Sequence, residues 1–411
     1  MNHPNLLKTQ KGEKILMKYP RIYLVLDNCF AIKRWIKPSE WMKIIKDIGF
    51  TYVQASTDNE FDPIFFPEDY CLDWMEEVKK EEKATGLKVI NFYSGYQTYR
   101  TAGLGHYDYR VREMLIEKWF KPLIRRAADL DAKGIGFHVF ALTDDVLQDN
   151  DKYLETSEII TDYLAEISKY AYENNKIQIS FEQMYAPHQP PWTIEGTFEY
   201  LEKIYNKYKT PGYVTIDVGH MVGQKKFLKP SKKIIKDSLT DFSARNGNMK
   251  IWLGADSAYA LWDKLKNSIK GEEKIESAAC QISEEMDKYP YFFSDKDDAD
   301  IYKWIEELAV YSPIIHMQQT NGITSSHAPF TAENNKTGVV KGRQLIESIV
   351  KSFEKQKEKN MPSFVEDIYL SFELFASNTD TKREIIYRLR ETLEYWRQFV
   401  PEDGLPLEKI L

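Results

Sequence analysis

Residues 177–188 read IQISFEQMYAPH. The run begins with alternating β-branched and apolar residues and ends in a carboxylate, Glu182, with Gln183, Tyr185, Pro187 and His188 close behind. A parallel strand buried between two layers has this form: its apolar residues sit inside the sheet, and its first acid appears where the strand surfaces at its C-terminal end.

The same pattern recurs on both sides. RIYLVLD (21–27), TYVQAS (51–56), KVINFYSGY (88–96) and GIGFHVF (134–140) precede it; GYVTID (212–217), PIIHMQQ (313–319) and IYLSFELF (368–375) follow. Most of these runs are followed by a helical one. Pro38-Ser39-Glu40, with Ser39 as N-cap, opens a helix that Gly49 closes, and Gly86 ends the next. Eight strand-like runs alternating with helices predict a (β/α)8 TIM barrel, in which functional residues lie at the C-terminal ends of strands.

One interval breaks the rhythm. Between Asp217 and Pro313 the chain is too long for a single connection, and about 222–295 is expected to be an insertion on the catalytic face after strand six. It is long enough to cap a pocket or to meet a second subunit, which leaves a homo-oligomer open. Residues 1–17 are expected to form a loose tail, with Met17 as a second possible start, and 18–411 a single barrel domain.

Composition narrows the function. With 43% hydrophobic residues in 411, the chain can bury a large core. A net charge of −7 and no basic cluster speak against a nucleic-acid partner. Cys29, Cys71 and Cys280 are scattered and odd in number, which fits a reducing cytoplasm better than a disulfide framework. No run is long enough to cross a membrane, and the N-terminus has no apolar signal core.

Four residues carry the chemistry. Glu182, Asp217, His316 and Glu373 stand on or just after strands five to eight. Three carboxylates and one imidazole make a mixed oxygen and nitrogen shell suited to one divalent metal, Mn²⁺, Mg²⁺, Co²⁺ or Zn²⁺. A lone acid at a strand end is usually a cap or a surface residue; four on successive strands are not explained that way. His220, three residues past Asp217, and His188 are expected to contact substrate, while His138 on strand four faces either the barrel mouth or the core, with the core the favoured reading. The loop 316–330, HMQQTNGITSSHAPF, is dense in small donors, and Gln318, Thr320, Ser325, Ser326 and His327 are expected to hold a phosphate or polyol. Arg343 reads equally as a part of that pocket and as helix surface.

In their order, SFEQM, TIDVGH, IIHMQ and SFELF resemble the xylose-isomerase-like superfamily, in the branch of sugar and sugar-phosphate isomerases and epimerases that includes the ketose 3-epimerases. The resemblance covers roughly 18–217 and 300–400 and leaves out the insertion. It implies that the four residues hold one divalent cation, that Glu182 and Glu373 double as proton-transfer groups, and that His220 touches substrate. Two departures stand out. Thr320, Asn321 and Gly322 replace the arginine expected shortly after the strand-seven histidine, and His188 replaces an acid expected after the first glutamate. Both alter substrate contacts and turn the expectation away from a free ketohexose, while the loop with Ser325, Ser326 and His327 points towards a phosphorylated short ketose.

The implied reaction is proton abstraction next to a ketone, with the enediolate stabilised by the cation. Return of the proton to the opposite face gives an epimerase, and return to the neighbouring carbon gives an isomerase. A dehydratase acting on a polyol or inosose is the alternative. A metal-dependent phosphodiesterase or endonuclease fits the acidic chain less well, and the presence of both glutamates argues against a non-catalytic sugar-binding barrel.

Overall fold

The computed structural model describes residues 6–8, 14–16, 19–94, 102–245, 251–266, 271–355 and 359–410. Eight parallel strands close on themselves: β1 (Arg21–Asp27), β2 (Tyr52–Ser56), β3 (Lys88–Ser94), β4 (Gly134–Phe137), β5 (Gln178–Glu182), β6 (Gly212–Asp217), β7 (Ile314–Met317) and β8 (Asp367–Phe372). Each pairs with its sequence neighbour, and β8 returns to β1 with Asp367 opposite Arg21 and Phe372 opposite Leu26. This is the (β/α)8 barrel expected from the alternating runs.

Helices α1 (Pro38–Ile48), α2 (Glu68–Thr85), α3 (Tyr109–Leu115), α4 (Lys121–Asp129), α5 (Asn150–Lys169) and α6 (Ile194–Tyr208) follow β1 to β5. The helix after β1 starts earlier than its Ser39 cap implied. Lys37 is the N-cap and Pro38 occupies the first turn, where its missing N–H and fixed φ cost nothing. β4 is shorter than its apolar run and stops before His138.

Large aromatic side chains fill the layer between strands and helices. Trp41, Trp74 and Phe61 pack over β2 and β3, with Phe61 and Trp74 stacked at 4.4 Å. Trp396, in the last helix (Lys382–Arg397), seals β8 against Phe330 and Phe372. Inside the barrel the N-terminal end is plugged by tyrosines, Tyr23 lying on Tyr369 at 4.8 Å with Tyr52 edge-on at 5.1 Å. The cavity lies at the C-terminal ends of the strands.

Within 222–295 the chain forms α7 (Lys232–Arg245), α8 (Asp256–Lys266) and α9 (Glu272–Met286). This part of the chain bears on the segments that follow β4 and β5. Trp192 Nε1 donates to the Tyr291 carbonyl at 3.2 Å, Tyr291 stacks on Tyr153 at 3.6 Å, and the Asp256 amide donates to Gln148 at 2.7 Å. Among the described residues, none of 225–292 lines the central cavity. After α10 (Ile301–Leu308), β7, α11 (Gly342–Phe353), β8 and α12 (Lys382–Arg397), the chain ends in β9 (Leu405–Pro406), antiparallel to the start of β1. At the other end, Leu6–Lys8 pairs with Lys14–Leu16 in a short ribbon outside the barrel sheet. Among the described residues, no helix is long and apolar enough to cross a membrane.

Candidate metal centre and its cavity

β5 to β8 bring Glu182, Asp217, His316 and Glu373 to one point. One ligand atom from each lies within 4.8 Å of the others. His316 Nδ1 sits between the two glutamates, 3.4 Å from Glu182 Oε1 and 3.4 Å from Glu373 Oε2. That nitrogen is buried and has no hydrogen-bond partner among the described residues. A buried polar atom left unpaired, facing three carboxylates, fits a cation that the residues would share.

Electrostatics separate the three acids. Burial pushes Glu182 and Glu373 well above the ordinary carboxylate range, and the charges of Asp217 and Asp27 raise both further, with Glu182 also raising Glu373. Burial alone would raise Asp217 too, but His220, His327, His316 and the Gly219 amide outweigh it and hold it below its usual value. Its hydrogen bonds show why. Gln318 Nε2 donates to both carboxylate oxygens at 2.8 and 3.0 Å, and the Gly219 amide donates at 2.6 Å. A Cβ at Gly219 would fall 2.4 Å from the Gln318 amide, so only glycine allows that approach.

A cavity of about 430 Å³ lies over this cluster. Of the residues expected to contact substrate, it takes in His220, Ser325 and His327. His220 donates from Nδ1 to the Gln183 carbonyl at 2.8 Å, which leaves Nε2 as the acceptor nitrogen, 3.8 Å from Asp217 Oδ2. His327 adopts a left-handed backbone (φ 44°) and stacks on Phe375 at 4.3 Å, and burial pushes its imidazole pKa down.

The others lie elsewhere. Gln318 is buried behind Asp217. Thr320 is buried within its own loop, where its hydroxyl receives the Gly322 amide at 3.1 Å. Ser326 is exposed and donates to the Gln319 carbonyl at 3.0 Å. His188 is exposed, and its carbonyl receives the Leu142 amide at 2.6 Å.

His138 corrects the sequence reading. It is not a core residue, because β4 ends one residue before it and the chain turns the ring into the cavity. There its Nε2 lies 3.1 Å from Glu182 Oε2 and 3.2 Å from the Tyr93 hydroxyl. Asp27, Asp58, Tyr93 and Tyr185 also line the cavity and were not anticipated as site residues. The polar mouth of strand three and the acid ending strand one were the signals present in the sequence.

No family model matches the chain. It is 25% identical over 158 residues to D-erythrulose 1-phosphate 3-epimerase of Brucella abortus, a match that takes in 35% of this chain and 47% of that protein. The chain thus spans about half the length of the curated relative it matches. Among solved structures, a putative xylose isomerase from Rhodospirillum rubrum superposes with a TM-score of 0.63 at 14% identity, over 92% of this chain and 98% of that one. An L-ribulose 3-epimerase superposes at 0.52 with 14% identity, over 95% of each chain. The structural neighbours are thus xylose-isomerase-like barrels that include sugar 3-epimerases, and the chain shares their fold.

Proposed function

We propose that this chain is a divalent-metal-dependent isomerase or epimerase of a ketose or ketose phosphate. The observation that carries the reading is the convergence of Glu182, Asp217, His316 and Glu373 at the mouth of the barrel, with a glutamate on each side of His316. The partial match to a 3-epimerase of a ketose phosphate supports the substrate class.

These four residues would hold the cation, which when bound supplies positive charge to the oxygens of the substrate carbonyl. Glu182 and Glu373 then move the proton. Each is buried, and each has an imidazole at its outer side: His138 beside Glu182 at 3.1 Å, and His327 beside Glu373 at 3.5 Å. A carboxyl whose charged form is disfavoured by burial is a stronger base when ionised, which suits removal of a weakly acidic hydrogen. His220 Nε2, Ser325 and Asp58 would orient hydroxyls, and Tyr93, Tyr185 and Phe375 would shield the site from water.

The test is a panel of ketoses and ketose phosphates with Mn²⁺ in deuterated water, followed by NMR. Exchange at the carbon next to the carbonyl, lost reversibly with chelator, is expected. Deuterium returned to the same carbon with inversion identifies an epimerase, and deuterium on the neighbouring carbon an isomerase. Full turnover after exhaustive metal removal would sink the proposal, and a product lighter by one water would place the chain among dehydratases.

A further inference from the structure

Behind His316 lies a chain of buried polar groups that the metal cluster itself does not explain. Gln54 on β2, Asp27 at the end of β1 and Asn91 on β3 are each at most 1% exposed. Asp27 and Gln54 are partners in the β1–β2 ladder. Asn91 reaches Gln54 through an irregularity: Val53 pairs with Val89 and the next residue, Gln54, pairs with Asn91, so Ile90 is skipped. Without this bulge Gln54 would face an isoleucine. Bulges beside active sites commonly re-aim a side chain in this way.

The bonds of Gln54 define its orientation. Its Nε2 lies 2.5 Å from Asp27 Oδ2, and a carboxylate can only accept, so the amide nitrogen must face that side. Its Oε1 accepts from Asn91 Nδ2 at 2.8 Å. Asp27 is held in turn, its Oδ1 accepting the Cys29 amide at 2.7 Å. With both ends of the amide committed, the nitrogen also lies 2.9 Å from His316 Nε2. An N–H directed at Nε2 makes that nitrogen the acceptor. The ring proton then belongs on Nδ1, between Glu182 and Glu373.

We propose that Gln54 is a positioning residue for His316: clamped by Asp27 and Asn91, it fixes the imidazole plane and places the ring proton on Nδ1 in the cation-free protein. The inference deepens the metal reading and rests on it in one respect. A cation taking Nδ1 must send that proton to Nε2, so Gln54 governs how readily His316 becomes a ligand. A ligating histidine ordinarily donates its second ring N–H to an acceptor; here the facing group is a donor, so Gln54 holds the ring in the tautomer that must change before Nδ1 can ligate.

The test uses the full chain, stripped with chelator and labelled with ¹⁵N-histidine. Multiple-bond ¹H–¹⁵N spectra, assigned with His316→Gln, report which nitrogen carries the proton. Wild type is expected to show His316 protonated on Nδ1. Gln54→Glu, which offers an acceptor in the same place, is expected to move the proton to Nε2. Gln54→Leu, which no longer holds the proton on Nδ1, is expected to leave a mixture of tautomers and to tighten Mn²⁺ binding, measured by calorimetry. Protonation of Nε2 in wild type, or an unchanged tautomer in Gln54→Glu with a native circular dichroism spectrum, would overturn the proposal. So would unchanged Mn²⁺ affinity in Gln54→Leu. Failure of wild type to bind Mn²⁺ at all would instead count against the metal reading, since the tautomer is read without any cation.

Discussion

Cation binding at this centre should be steeply dependent on pH, and the structure sets the steepness. Burial holds the protons on Glu182 and Glu373, whereas Asp217, with Gln318 and the Gly219 amide donating to it, is already ionised. A cation that takes all three carboxylates displaces two protons. By linkage each displaced proton changes affinity about tenfold per pH unit, so two give roughly 100-fold per unit below the pKa values of the glutamates. Calorimetric titration of the chelator-stripped chain with Mn²⁺, in buffers of different ionisation enthalpy, gives both the affinity and the number of protons released. The expected result is proton release on binding that grows as pH falls, up to two protons per cation. Affinity that stays flat over about two pH units around neutrality would refute the reasoning, because the glutamates would then be ionised in the free protein. The same shifts set the stability of the cation-free chain. Both glutamates have folded pKa values above their unfolded ones. Their contribution is complete below the unfolded values and is lost as pH rises through the folded ones, at up to about 1.4 kcal/mol per carboxyl per pH unit. Saturating Mn²⁺ should reverse that loss, contributing about 4 kcal/mol at a thousand times its dissociation constant.

Other changes probe the parts separately. Glu182→Gln and Glu373→Gln should each abolish turnover while leaving the circular dichroism spectrum native, as measured with whichever ketose the substrate panel identifies. Gln318→Leu removes both bonds to Asp217 and should weaken Mn²⁺ binding by about 10- to 100-fold in the same titration. Gly136→Ala would set a Cβ 2.6 Å from the Tyr93 ring, displacing the hydroxyl that meets His138; kcat should fall on the order of tenfold to a hundredfold, with about 1–3 kcal/mol lost in denaturant melts. Trp396→Ala, at a fully buried site over β8, should cost about 3–5 kcal/mol of stability and leave metal affinity unchanged.

The barrel was legible because each strand is a short apolar run and each helix a periodic one, and the ends of the runs place the acids without any knowledge of packing. Glu182, Asp217 and Glu373 could be read for that reason: an ionisable side chain where an apolar run stops has few places to go but the mouth. Gln54 and Asn91 could not be read the same way. They lie within strands, at positions that an aliphatic residue would normally fill, and the one-residue slip at Ile90 that joins them leaves no mark on the hydrophobic pattern. His138 was misjudged because GIGFHVF looks apolar throughout, while the backbone leaves the sheet at Phe137. The 316–330 loop shows the converse limit. Its composition advertised a polar pocket, but donors such as Thr320 and Ser326 are used up on the loop's own backbone. Side-chain chemistry announces capacity for hydrogen bonding, and only the fold decides where that capacity is spent.

The C-terminal strand β9 has a consequence for how the molecule is made. β1 pairs with β2 only through Val25, Leu26 and Asp27, which leaves its first residues open on that side. Leu405 and Pro406 fill the gap opposite Ile22 and Arg21, and Asp403, held by Arg397, receives the Leu24 amide at 2.9 Å. The seam is thus sewn by residues as far as 379 positions apart in the Leu24–Asp403 bond. Contacts of such sequence separation form late, because the entropy of closing the loop must be met first. On the ribosome the first strand must therefore wait, half-paired, until nearly the whole chain has emerged. In that interval its free edge is the segment most in need of a chaperone's shelter.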